Sequence, residues 1–256
     1  MRSKNLVHSV LILLGFGIAT YGRDLLALVY TPVIPSMPLR IAYAYAWWVI
    51  PVVLITGYLY GFRALPKHLG LDKGFIRGFL FALATVLPML IGSAWAGRFS
   101  YPENWLLFLR STVFAGFMEE LLYRGFLFGL LFRKCQWGFI PAALVGALFF
   151  GMGHLYQGST LAESAGIFLI TALGAGWFAW LYADWNNNLW VPIFLHILMN
   201  LSWTLFDVSE NALGGGYANV FRALTIALTI ILTIRYHKKQ GLAIARKNLW
   251  VNAQAE

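Results

Sequence analysis

Charge is scarce in this chain: Asp, Glu, Lys and Arg make up 11% of its 256 residues, against roughly 25% in a soluble domain. So little polar surface cannot coat a water-exposed globule, which argues against a soluble enzyme, a disordered regulator and a fibrous protein. Cysteine is scarcer still. Cys135 stands alone, which excludes an internal disulfide and any cysteine-built zinc site. A continuous basic face is also missing: the net charge is +9, but Lys and Arg sit in short clusters between apolar stretches, so nucleic acid is not the expected partner. Internal repeats, low-complexity tracts and loops long enough for a soluble module are absent as well. A single integral-membrane domain over 1–256 is the economical reading.

What the chain has instead is apolar length, with 60% hydrophobic and 17% aromatic residues. A hydrocarbon core about 30 Å thick needs roughly 20 apolar residues at about 1.5 Å each. About eight such runs are present: Leu6 to Gly22, Ile41 to Gly61, Phe75 to Ala96, Trp105 to Phe132, Gly138 to Leu155, Ser164 to Trp185, Leu189 to Phe206 and Val220 to Tyr236. The expected fold is all-α, a polytopic membrane helix bundle with its site between the helices. Leu25 to Tyr30 is apolar too, but Pro32, Pro35 and Pro38 follow it, so it reads as an interfacial or re-entrant stretch.

Basic residues orient the chain. With the amino terminus in the cytoplasm, inner segments hold Arg2 and Lys4, then Arg63, Lys67, Lys73 and Arg77, then Arg133 and Lys134, then Arg235, Lys238, Lys239, Arg246 and Lys247. Outer loops hold only Arg23, Arg40 and Arg98. This predicts a multi-pass protein of the cell (inner) membrane whose first helix is retained rather than cleaved as a signal. The basic tail from Arg235 to Lys247 is expected to be a topogenic anchor drawn to anionic lipid. Tryptophans such as Trp47 and Trp48 read as interfacial anchors, and Cys135, beside Arg133 and Lys134, as an unmodified thiol rather than an acylated one.

Against this background the informative residues are ionisable ones inside predicted spans, each costing about 2.5–3.5 kcal/mol at mid-membrane. Glu119, Glu120 and Arg124 lie in the fourth span. Glu120 and Arg124 are four apart, on one helical face with the acid nearer the amino terminus, the better order for an ion pair. Glu119 points about 100° away, has no partner on its own helix, and is free to act as a general base. Phe150 and His154 close the fifth span in a glycine-rich stretch, where small residues let helices approach closely. His196 and Asn200 share a face of the seventh span. Each group alone is open to a bland reading, such as a buried ion pair or an interfacial histidine. Together, a carboxylate, two imidazoles and a carboxamide can activate a water, shuttle its proton and donate to an oxyanion.

The three groups resemble the signature of the CPBP intramembrane endopeptidases, the family of type II CAAX prenyl endopeptidases and bacteriocin-processing or Abi proteins. That signature is Glu-Glu-x-x-x-Arg, then Phe-x-x-x-His, then His-x-x-x-Asn, here Glu119 to Arg124, Phe150 to His154 and His196 to Asn200, in order. The resemblance covers a core of about 105–206. It implies that Glu119 is the catalytic glutamate, that His154 helps position the water, and that His196 and Asn200 stabilise the oxyanion. Glu120 and Arg124 would be a supporting pair and Phe150 a packing residue. The implied activity is cleavage of a membrane-associated peptide or protein, such as a prenylated CAAX-type protein or a leader peptide, with no cofactor.

Alternatives stay open at this stage. One is the same peptidase using zinc on Glu119, His154 and His196, although the His-Glu-x-x-His arrangement is lacking. Others are a proton or solute transporter, since intramembrane Glu and His also mark proton relays, and a non-catalytic immunity or scaffold protein.

Overall fold

A computed structural model describes residues 2–238 and 241–253, apart from the Arg2 side chain. Of the predicted inner basic residues, Lys239 and the side chain of Arg2 lie outside the described residues. Long helical rods follow the eight apolar segments: α1 (Arg2–Ala27), α2 (Met37–Tyr60), α4 (Phe75–Ala96), α5 (105–134), α6 (Phe139–Met152), α7 (Leu161–Asp184), α8 (Trp190–Leu205) and α9 (Gly216–His237). A short helix, α3 (Leu65–Leu69), occupies the polar joint between α2 and α4. Six of the described helices are long and apolar enough to cross a membrane. The other two rods are α8, which has 16 residues, and α5, which carries the buried charges. The expected eight crossings are therefore not all carried by length and apolarity. The protein is an integral membrane protein of all-α architecture.

Two segment ends differ from expectation for local reasons. Helix α1 continues through Arg23 to Ala27, because extending a formed helix by one turn costs little compared with starting one; Leu25 to Ala27 of the expected interfacial stretch are therefore helical, and the non-helical link is residues 28–36. Pro38 does not block a helix but opens α2 from its first turn, where its missing N–H is no loss. Two helix starts carry side-chain caps. Asn104 accepts from the backbone N–H groups of Leu106 and Leu107 at the start of α5. Thr160 accepts from Glu163 N while Glu163 accepts from Ser159 N at the start of α7.

Side chains such as Leu14, Leu54, Ile91, Leu173 and Ile231 are exposed along the rods, as lipid-facing positions require. The lower half of α5 is the reverse case. Every residue from Leu121 to Phe128 is buried, enclosed by α1, α2, α3, α6 and α7. A helix covered on all sides is how a charged rod can sit in a bilayer.

The four basic segments meet at one end of the bundle. His8 Nδ1 lies 3.1 Å from Tyr60 Oη, Trp137 Nε1 donates to Ser9 Oγ at 3.1 Å, Arg133 donates to His68 O at 3.2 Å, and Arg77 donates to Tyr236 Oη at 3.3 Å. The carboxyl-terminal segment is more than a charged anchor. It folds back as a strap across this end: Gly138 N and Ile140 N donate to Trp250 O and Leu249 O, Asn252 Nδ2 donates to Phe132 O at 2.8 Å, and Ala243 N donates to Asp184. Cys135 is free and buried beside the strap, and burial pushes its thiol pKa up.

Candidate active site

The site is built where α5 and α8 touch. Gly116 makes the contact possible: a Cβ there would stand 2.9 Å from Ile197 N and 2.7 Å from Ile197 Cγ1, so only hydrogen fits and the two backbones close up. Helix α5 is not uniform. It is π-helical over Arg110–Phe114 and Leu121–Phe128, with an α-helical turn, Ala115–Glu120, between them. Such widened turns often mark functional sites. Here they bracket both glutamates.

Glu120 is fully buried and its Oε1 accepts twice, from Arg124 Nη1 at 3.0 Å and from His196 Nδ1 at 2.7 Å. The first bond is the pair expected from the four-residue spacing. The second was not legible: the partners are 76 residues apart, and the resemblance assigns Glu120 only to Arg124. Because a carboxylate accepts, His196 holds a proton on Nδ1 and presents Nε2. Nε2 lies 3.8 Å from Glu119 Oε2, too far for a direct hydrogen bond. Glu119 Oε2 is itself buried with no hydrogen-bond partner among the described residues, although the Glu119 side chain as a whole is 19% exposed. An unmade bond on a buried carboxylate is expensive.

Aromatic rings hold this cluster. The Arg124 guanidinium lies 4.7 Å from the Phe150 ring centroid and 5.3 Å from that of Phe178, so its charge is satisfied by Glu120 and two π faces. Phe178, on α7, also meets the His196 ring at 5.7 Å. Nothing in the spacing singled it out from the other aromatics. Phe150 packs on His154 at 4.5 Å and on His196 at 6.4 Å, and so joins the two histidines. His154 donates from Nδ1 to Phe150 O at 2.7 Å, since a carbonyl only accepts; Nε2 is then its free ring nitrogen.

Asn200 is placed differently. One turn along α8 from His196, its Nδ2 donates to Ser111 O at 3.1 Å, a carbonyl of the first π-helical stretch. The structure thus brings Glu120, Arg124, Phe150 and His196 into one connected cluster, with Glu119 3.8 Å from the His196 ring. His154 joins through Phe150, and Asn200 is tied to the α5 main chain.

Among the described residues no group of three His, Cys, Asp or Glu is arranged to hold a metal ion. The Glu119, His154 and His196 set does not fit a three-ligand zinc site, which needs all three donors about 2.0–2.2 Å from one point.

Fold and site together define a polytopic helical membrane protein with a buried carboxylate–imidazole centre. Comparison with known proteins agrees with the motifs. Residues 101–202 match the Rce1-like family, described as type II CAAX prenyl endopeptidase Rce1-like, and that stretch contains all three motifs. A protein of Bacillus subtilis (strain 168) described as "Putative membrane peptidase YdiL" is 35% identical over 95 residues, a match covering 37% of this chain and 34% of that protein. The chain thus matches about a third of that relative's length. No solved structure matches the chain. The resemblance to the CPBP endopeptidases is supported by both matches, the family model covering the part of the chain that carries the motifs.

Proposed function

We propose that the protein is an intramembrane endopeptidase in which Glu119 activates a water to hydrolyse a peptide bond of a membrane-associated substrate. One observation carries this reading: Glu119 Oε2 is buried without a hydrogen-bond partner among the described residues, 3.8 Å from a His196 ring that Glu120 holds in place. A water between those two atoms is within hydrogen-bond reach of both. Glu119 takes a proton from the water as its oxygen attacks the substrate carbonyl, and passes that proton to the leaving amine as the tetrahedral species collapses. With Nδ1 committed to Glu120, a doubly protonated His196 ring donates from Nε2 to the oxyanion, whose negative charge it offsets while Glu119 holds the proton taken from the water. Asn200, oriented through Ser111 O, is the second oxyanion donor, and His154 Nε2 positions the water.

The scheme uses no metal. If it holds, cleavage persists after chelation of the purified protein, and loss of activity restored by zinc would replace it. The substrate class we propose is a peptide held at the membrane, such as a prenylated CAAX-type protein or a leader peptide, with the lipid bilayer as the other partner. The basic end of the bundle is assigned to the cytoplasmic face, with the amino terminus inside, which favours the cell membrane. The direct test compares membrane proteomes of wild type and Glu119→Gln cells: uncut precursors accumulate in the variant, and identical proteomes would refute the reading.

A further inference from the structure

At the end of the bundle away from the basic segments, α1, α2 and the link between them form an open cavity of about 440 Å³ lined by Arg23, Tyr30, Thr31, Arg40 and Tyr43 among others. Two of the three basic residues in the predicted outer loops thus face one concavity. Their existing partners leave most of their donors free. Arg40 donates from Nε to Ile34 O at 2.9 Å. Arg23 pairs with Asp24 at 3.2 Å, with both side chains at least half exposed, so that pair holds it weakly. Beside these cations stand bare aliphatics: Leu28 is 80% exposed, Val29 83% and Val33 96%.

Cations, phenols and a hydroxyl facing a cavity next to uncovered aliphatic side chains match the boundary between phospholipid headgroups and acyl chains. A soluble anion would leave the aliphatics in water. Guanidinium forks suit phosphate oxygens bidentately, and the volume falls in the range of small-molecule sites. Counting Asp24 with the two arginines, the site carries one net positive charge, which favours a headgroup that is itself anionic. We propose that this cavity is a binding site for the phosphate of an anionic phospholipid, gripped by Arg23 and Arg40 with its acyl chains lying over Leu28, Val29 and Val33. Such a lipid would fix the link between α1 and α2 at the membrane surface. The proposal is independent of the chemistry at Glu119.

The test is lipid retention by the purified full chain in detergent, read by native mass spectrometry with phosphatidylglycerol or phosphatidylcholine added. The Arg23→Gln/Arg40→Gln variant is expected to bind phosphatidylglycerol about tenfold more weakly, the effect of losing roughly one charge-assisted contact. Arg98→Gln, at the same end but outside the cavity, should bind as wild type does. Equal retention by the double variant overturns the site, and so does an equal loss in Arg98→Gln. Should the double variant fail to fold, Arg40→Lys keeps the charge but loses the fork; a severalfold weakening supports the site, and unchanged affinity overturns it. Millimolar inorganic phosphate distinguishes the sources. A lipid site retains phosphatidylglycerol in its presence, and displacement would mean a free-anion site and reject the lipid.

Discussion

The glutamate cluster in mid-bundle and the strapped basic end both bury polar groups, but they differ in how far the main chain helps to satisfy them. At the basic end a few bonds join side chains, as from Trp137 to Ser9 and from Arg77 to Tyr236, but many run between side chains and main chain: Arg133 to His68 O, Asn188 to Gly74 O, Trp190 to Leu71 O, Asn252 to Phe132 O, and Ala243 N to Asp184. These bonds pin loops and helix ends. In mid-bundle the central bonds run between side chains, with Arg124 and His196 on one oxygen of Glu120, and among the described residues they leave Glu119 Oε2 and the second oxygen of Glu120 without one. The first arrangement spreads its cost over many backbone contacts. The second concentrates charge where desolvation is costly and depends on each partner, which is reasonable for a site and wasteful for a scaffold.

The sharpest break between the two regions is Glu119→Gln. Removing the base should lower cleavage of a tethered membrane peptide by at least about 10²–10⁴-fold, with thermal unfolding in detergent unchanged, because no hydrogen bond of Glu119 Oε2 is lost. Undiminished turnover would make Glu119 a structural residue like those at the basic end. Next comes Arg124→Met, which leaves Glu120 buried beside one remaining partner and should cost about 3–5 kcal/mol of stability. A loss under 1 kcal/mol, about the value of an ordinary hydrogen bond, would erase the distinction.

Gly116→Val probes geometry rather than charge. Forcing α8 away from α5 moves His196 relative to Glu119, and a displacement of about 1 Å is enough to cost roughly 100-fold in rate; wild-type kinetics would show that the close approach is dispensable. The smallest effect is expected at the basic end. Asn188→Ala removes the bonds to Gly74 O and from Trp190 N and should cost only about 1–2 kcal/mol, with activity kept; a catalytic defect in that variant would mean that the two regions are coupled.

Much of this was legible in one dimension. The rods lie where the apolar runs do, and α4 begins and ends on the residues expected. The Glu120–Arg124 pair followed from its spacing, because residues four apart on a helix are neighbours whatever surrounds them. Other features had no local signal. The His196–Glu120 bond, the place of Phe178 and the return of the carboxyl-terminal strap join segments far apart in the chain. The left-handed turn at Asn186 and Asn187, with φ of 57° and 56°, had a signal in the asparagines themselves, which tolerate that conformation. The π-helical stretches had none, since they arise from how α5 is packed.

Residue type and order alone determined that this chain lives in a bilayer, roughly where its helices lie, and which few polar side chains need protection from lipid. The reason is that bilayer thickness and helix rise act on each segment separately. Which carboxylate gains two partners and which faces the His196 ring across 3.8 Å was decided only by tertiary structure, because lateral helix packing depends on shape complementarity between distant segments, as at Gly116 against Ile197.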